Sequence, residues 1–170
     1  MVKLQQHFKS TTIADGIAVK TPGDVTFEII NELVDEVVVV EEDEIAQGML
    51  FLMENQKVVA EGAGAVTTAA LLSGKYVPKK DENVVCVISG GNVDVNTLYR
   101  VIGTALTKEA RRYSFNTVIQ DKPGGLAELT KIISEYDANI LSANLSRSSM
   151  GGALGSLTAE MVLKHSTMIT

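Results

Sequence analysis

The chain has 170 residues, 45% of them apolar and 21% charged; this is a globular composition that excludes a disordered chain and allows one domain, or one and a half small ones. A net charge of −6, from 15 scattered basic residues against 21 acidic ones, excludes nucleic acid as a partner, and 5% aromatics without Trp exclude a base-stacking platform. One cysteine and two histidines exclude an internal disulfide and a multi-histidine metal site; no apolar run reaches membrane-spanning length and residues 1–9 lack a signal-peptide stretch, so the expected compartment is the cytoplasm.

Residues 11–23 have no clean period, and Gly16, Pro22 and Gly23 mark a loop. Residues 26–34 place Phe27, Ile30 and Val34 at helical spacing. The β-branched run at 36–40 reads as a buried parallel strand. Glu41, Glu42, Asp43 and Glu44 then form the charged first turn of a helix whose apolar face is Ile45, Met49, Leu50, Leu52 and Met53. A short apolar run at 57–60 leads into a small-residue helix from Glu61 through Leu72, which packs closely on both sides and ends at Gly74. Residues 83–88 (NVVCVI) are the strongest strand signal, with Cys86 as a buried, inert thiol. Asp94 is the N-cap of a helix to about Lys108. This strand–helix alternation predicts a mainly parallel α/β sheet. A polar stretch at 109–113 is a linker, after which the pattern restarts: strand 114–120, turn 121–124, helix 125–136, strand 139–147 and strand 157–164.

Chemistry has three places to sit. The Ser89-Gly90-Gly91-Asn92 turn follows the end of a predicted strand, the edge where ligands bind in open α/β sheets, and its glycines permit close backbone approach. Glu61 stands beside Gly62 and Gly64 at a helix start, as a cap or as a polar group facing a site. Asp15-Gly16 lies in an apolar loop. Each is equally consistent with a plain structural turn.

Four segments in order carry a resemblance: TIADGIAV at 12–19, EGAGA at 61–65, ISGGNVD at 88–94 and DKPGGL at 121–126. Together they resemble the C-terminal part of the threonine ammonia-lyases (threonine dehydratases), pyridoxal-phosphate enzymes that turn L-threonine into 2-oxobutanoate and ammonia, in the form that carries one C-terminal ACT domain. The fold this implies is the C-terminal part of a fold-type II catalytic domain over 1–108, a linker at 109–113 and a partial ACT domain, ferredoxin-like α+β, over 114–170. By the same resemblance Ser89 is the hydrogen-bond partner of the cofactor's pyridine nitrogen, with Gly90 beside it. Asp15 and Gly16 belong to the loop lining the active site, with Asp15 on the substrate side, and Glu61 is a carboxylate near the ring. A neutral hydroxyl leaves the ring nitrogen unprotonated and the ring a weaker electron sink, which suits β-elimination over transamination.

The resemblance also implies what departs from the family. Its Schiff-base lysine lies in an S-x-K-x-R-G-like segment; Lys9, in His7-Phe8-Lys9-Ser10, lacks the arginine and glycine, so no catalytic residue is expected here. The implied partners are L-threonine or L-serine as substrate of the complete enzyme, a branched-chain amino-acid effector at Asp121, Pro123 and Gly124, and further copies in a homo-oligomer. No metal is implied. The alternatives are a non-catalytic amino-acid-binding ACT module, or part of a related serine dehydratase or racemase. An ACT domain is βαββαβ, so the series here is its first four elements, with strand 114–120 at an open edge and Leu157, Ala159 and Met161 on an uncovered sheet face.

Overall fold

The computed structural model describes residues 11–147 and 155–165. The chain divides into two compact units, Met1–Ala105 and Leu106–Thr170.

In the first unit, α1 (Asp24–Leu33) follows Gly23 and ends before Asp35. It is amphipathic as its spacing predicts, yet none of its residues is buried, and Val25, Ile29 and Leu33 face solvent. The acidic run starts α2 (Glu42–Phe51), where the Glu44 carboxylate accepts the Glu41 N–H at 2.7 Å. Carboxylates in that first turn meet the unpaired N–H groups of the helix start, as expected. After α2 a wider π turn, Leu52–Gln56, carries the chain to residue 57. The small-residue helix α3 (Gly62–Leu72) then packs on α2. A Cβ on Gly48 would come within 3.0 Å of the Ala65 carbonyl oxygen and 3.1 Å of the Ala69 nitrogen, so the two backbones meet almost without side chains between them. Ile45, Met49, Leu50 and Leu52 are buried with Ala63, Ala65 and Ala69, each large side chain contributing about 1.5–3 kcal/mol. The helix α4 (Val95–Lys108) buries Val101 and Ala105.

The strands predicted at 36–40 and 83–88 do not form a sheet: among the described residues no ladder joins them. A β-branched run becomes a parallel strand only where neighbouring backbones offer hydrogen bonds, and none of these segments supplies a ladder to another. Cys86 is correspondingly half-buried, not buried.

The second unit holds the sheet of the described residues. Its strands β1 (Arg112–Gln120), β2 (Ala138–Ser146) and β3 (Ser156–His165) lie in the order β1-β3-β2, antiparallel throughout. The strand β1 begins inside the expected linker, two residues before Ser114, and forms one sheet edge. The helix α5 (Gly125–Glu135) connects β1 to β2 and packs its Ile133 and Leu129 on Ala159, Met161 and Leu163 of the central strand. Leu157, Ala159 and Met161 are therefore buried, contrary to the expectation from the sequence, because α5 alone covers the middle of the sheet. The uncovered apolar groups lie on the flanking strands: Tyr113, Phe115 and Leu145, which pair with Leu163, Met161 and Ala159 and share their face.

Candidate functional site

The first unit contains an open cavity of about 540 Å³. Its wall includes Asp15 from the 11–15 loop, Glu42 from the start of α2, Glu61 and Gly62 at the start of α3, Asn92 and Asp94 after the glycine turn, and Arg100 on α4. The Glu42 carboxylate accepts the Ile13 N–H at 2.9 Å and so ties the loop to α2.

Glu61 and the glycine turn clamp each other. The Glu61 N–H donates to the Gly90 carbonyl at 3.1 Å, and the Glu61 carboxylate accepts the Asn92 N–H at 3.0 Å. A Cβ on Gly90 would meet that carboxylate at 2.5 Å, one on Gly91 would meet the Val59 carbonyl oxygen at 2.6 Å, and one on Gly64 would meet the Gly90 carbonyl oxygen at 2.6 Å. Gly91 and Gly64 require glycine because backbone fills the space of a side chain, whereas a side chain at Gly90 would displace the Glu61 carboxylate. Gly16 stands on the other side of Glu61, its Cβ position 3.6 Å from Oε1. The clamp fixes the backbone of Ser89, whose exposed hydroxyl has no partner among the described residues.

The Asp94 carboxylate accepts N–H groups of Asn96 at 2.9 Å and Thr97 at 3.0 Å, the N-cap of α4 that the sequence predicts. Its hydrogen bonds from Thr97 hold it below the ordinary aspartate range, with the charge of Arg100 acting in the same direction. Of the site residues expected from the sequence, the structure brings Asp15, Glu61 and Gly16 together around the cavity and its margin, while Ser89 and Gly90 sit behind Glu61 on the clamped turn. Asn92 and Asp94 are added by the structure; the signal for Asn92 was its place at the end of the glycine turn.

Asp121, Pro123 and Gly124 lie in the second unit, in the turn before α5. Gly124 has φ +92°, left-handed backbone that suits glycine. The sequence gives no sign of what holds the turn. Arg147, following β2, grips Asp121 through two hydrogen bonds of 2.6 and 3.0 Å, and the Asp121 N–H donates to the Gly155 carbonyl at 2.8 Å. The hydrogen bond from Arg147, then its charge, hold the Asp121 carboxyl below the ordinary aspartate range. The pair thus stabilises the folded turn above the unfolded carboxyl's titration and is lost as pH falls through the depressed folded value. In carbon-detected NMR titrations, Asp121 is expected to titrate below the ordinary aspartate range and to move up in Arg147→Ala. An unshifted Asp121 would dissolve the pair.

Ser89 suits the ring end of a pyridine cofactor in its chemistry: a neutral, exposed hydroxyl can donate to a ring nitrogen. Among the described residues no group of three or more His, Cys, Asp or Glu could hold a metal ion, and no helix is long and apolar enough to cross a membrane.

Comparison with known proteins bears on the same region. The family described as pyridoxal-phosphate dependent enzyme matches residues 2–90. The L-threonine ammonia-lyase of Thermotoga maritima is 49% identical over 153 residues, 90% of this chain and 38% of that protein. The L-threonine ammonia-lyase of Geobacter sulfurreducens is 48% identical over 138 residues, 81% of this chain and 34% of that protein. The chain thus spans little more than a third of either relative. Among solved structures, serine racemase from Dictyostelium discoideum is 41% identical, with a TM-score of 0.46 over 55% of this chain and 29% of that one.

Proposed function

Because the chain belongs to the pyridoxal-phosphate dependent enzymes, we propose that it is a portion of a threonine ammonia-lyase, which takes L-threonine to 2-oxobutanoate and ammonia by β-elimination. The observation that carries this reading is the Ser89-Gly90-Gly91-Asn92 turn locked onto Glu61, within a chain about half identical to two proteins of that name. When bound, the cofactor supplies the electron sink for the elimination. Ser89 meets its ring nitrogen with a neutral hydroxyl and leaves that nitrogen unprotonated. Glu61 holds the turn in place through Gly90 and Asn92. Asp15 borders the substrate side of the cavity and Gly16 lets the loop pass close to Glu61. Phosphate and lysine contacts are assigned to the part of the enzyme outside this chain.

The second unit is a part of an ACT domain in this reading, supported by the β1-α5-β2-β3 series and the order β1-β3-β2, which leaves a place beside β1 for a fourth strand. Its effector, a branched-chain amino acid, would meet Pro123 and Gly124 next to the Asp121–Arg147 pair, and the complete enzyme is a homo-oligomer.

Two measurements test the function. The chain alone, loaded with pyridoxal phosphate and freed of excess, is expected to give no stoichiometric chromophore that borohydride fixes to one lysine; such a chromophore would overturn the division of labour. Joined to the remaining portion of the Thermotoga maritima relative, it is expected to make 2-oxobutanoate from L-threonine. In that protein Ser89→Ala removes one hydrogen bond of about 1–3 kcal/mol, lowering turnover roughly ten- to a hundredfold with less effect on cofactor retention. Ser89→Asp is expected to raise transamination products. Unchanged turnover and product ratio in both variants would take Ser89 out of the site.

A further inference from the structure

The charge of the chain is unevenly divided. Residues 1–105 carry eight basic against fifteen acidic side chains and residues 106–170 seven against six, so the acidity belongs to the first unit and the second is slightly basic. Part of that basic charge has a definite place on the sheet. In the ladders Arg112 on β1 stands opposite Lys164 on β3, and Lys164 stands opposite Asn139 on β2. Residues directly opposite in a ladder share a face, with Cβ atoms about 5 Å apart, so a guanidinium, an ammonium and an amide form one row across three strands. The row lies on the face turned away from α5, since Leu163, the neighbour of Lys164, belongs to the α5 cluster. Like charges set directly opposite oppose strand pairing. No carboxylate offsets this pair: among the described residues neither Arg112 nor Lys164 has an ion pair or a side-chain hydrogen bond. Glu109, close in sequence, is paired with Arg111 at 3.1 Å. The sole carboxylate of the ladders on this face is Glu160, four residues along β3 and about 13 Å away, where it accepts the Asn144 amide at 3.3 Å.

We propose that the Arg112–Lys164–Asn139 row binds the phosphate group of a small, soluble phosphate monoester. The next row on the same face adds the hydroxyls of Ser114 and Ser142 on either side of Val162, so hydrogen-bond donors surround the two charges. A carboxylate is matched by the planar fork of one arginine. A phosphate monoester is tetrahedral, carries about −1.5 to −2 charge at neutral pH and has three acceptor oxygens, so it takes two cations and donors outside the guanidinium plane. Bound between Arg112 and Lys164, it replaces one repulsion by two attractions. Lys164 and Asn139 are exposed and Arg112 is half-buried, so the row is open to a ligand from solvent. It stands at the opposite end of β1 from Asp121, Pro123 and Gly124, and so is separate from the turn assigned to the effector. The inference does not depend on the proposed reaction.

The probes are inorganic phosphate and glycerol phosphate, titrated into the intact chain with sodium chloride withdrawn to hold the ionic strength constant. Both are expected to give saturable NMR shifts at the Arg112 side-chain N–H, the Asn139 side-chain amide and the backbone amides of Ser114 and Lys164. Arg112→Gln and Lys164→Gln should each weaken binding roughly tenfold or more, whereas Lys131→Gln, on the exposed side of α5, should leave it unchanged. Unfolding midpoints separate lost binding from lost structure. Without phosphate, Lys164→Gln should unfold at or above the parent midpoint, because the opposed charges are gone; with phosphate, only the parent and Lys131→Gln should rise. Shifts that never saturate, or that Arg112→Gln and Lys164→Gln leave unaltered, would overturn the proposal by reducing it to ionic screening. So would capture by vesicles of phosphatidic acid and phosphatidylcholine with no response to either soluble probe, which would make a lipid headgroup the ligand.

Discussion

Gly62→Ala is expected to lower the stability of the first unit by about 1–3 kcal/mol or more, the cost of forcing atoms into a filled space. The new Cβ would run into the Ile13 carbonyl oxygen, with the Ile13 carbonyl carbon 2.5 Å and the Ala14 nitrogen 2.9 Å away. All three are backbone atoms, so no rotamer change relieves the clash. Either the 11–15 loop or the start of α3 has to move. Moving the loop strains the Ile13 N–H bond to Glu42 and shifts Asp15 from the cavity wall; moving α3 strains its packing on α2. Gly74→Ala is the comparison, since nothing lies within 4 Å of its Cβ position and its cost arises only from φ +71°, about 1–2 kcal/mol. Urea unfolding of the three proteins, followed by exchange of amides in α2 and α3, separates the cases. A Gly62→Ala midpoint at or above that of Gly74→Ala would mean that the loop is not held where the structure places it.

Helices were readable in the sequence wherever the signal was local. Apolar spacing located α1, the turn at 121–124 preceded α5, Asp94 marked the start of α4 through its own side chain, and Gly74 marked the turn that ends α3. The strands β1, β2 and β3 were readable as runs, but the burial of Leu157, Ala159 and Met161 on β3 was not. The runs at 36–40 and 83–88 carried the same signal and formed no ladder, because composition specifies a preference for two-sided burial but not the backbone that must supply the partners. Which flank of the sheet α5 leaves bare was equally hidden. That depends on where one helix settles across three strands, not on the pattern within any strand.

The site divides in the same way. Asp15, Gly16, Glu61 and the glycine turn stood out as residue types that need explaining, and Gly64 and Gly91 prove to be places where backbone leaves a side chain no room. Their partners were not readable. Asn92 reaches Glu61 across 31 residues, and Arg147 reaches Asp121 across 26, brought there by the antiparallel pairing that carries the end of β2 back toward the α5 turn. Long-range hydrogen bonds of this kind are consequences of register, which no local period encodes.

Met161→Ala is expected to remove most of the stability of the second unit. Met161 is fully buried at the centre of the central strand, between Phe115 on β1 and Ala143 on β2, with Ile133 of α5 in the same cluster. Truncating a buried methionine to alanine costs about 2–5 kcal/mol when the space cannot collapse. Here it cannot collapse easily, because both neighbouring strands fix the backbone and Ala159 is too small to lean into the void. A core of this size supplies on the order of 3–5 kcal/mol of net stability, so the loss is comparable with the whole. Val162→Ala is the control: its side chain points to the opposite, polar face with Glu160 and Lys164, where little packing is lost. Hydrogen exchange of the β1 and β3 amides is the direct measurement. Protection should fall nearly to zero in Met161→Ala and stay close to the parent value in Val162→Ala. If Met161→Ala keeps its protection, the stability of the sheet comes from elsewhere than the α5 cluster, and the uncovered Tyr113, Phe115 and Leu145 become the residues to examine, since their pairing across the flanks would then hold the strands together.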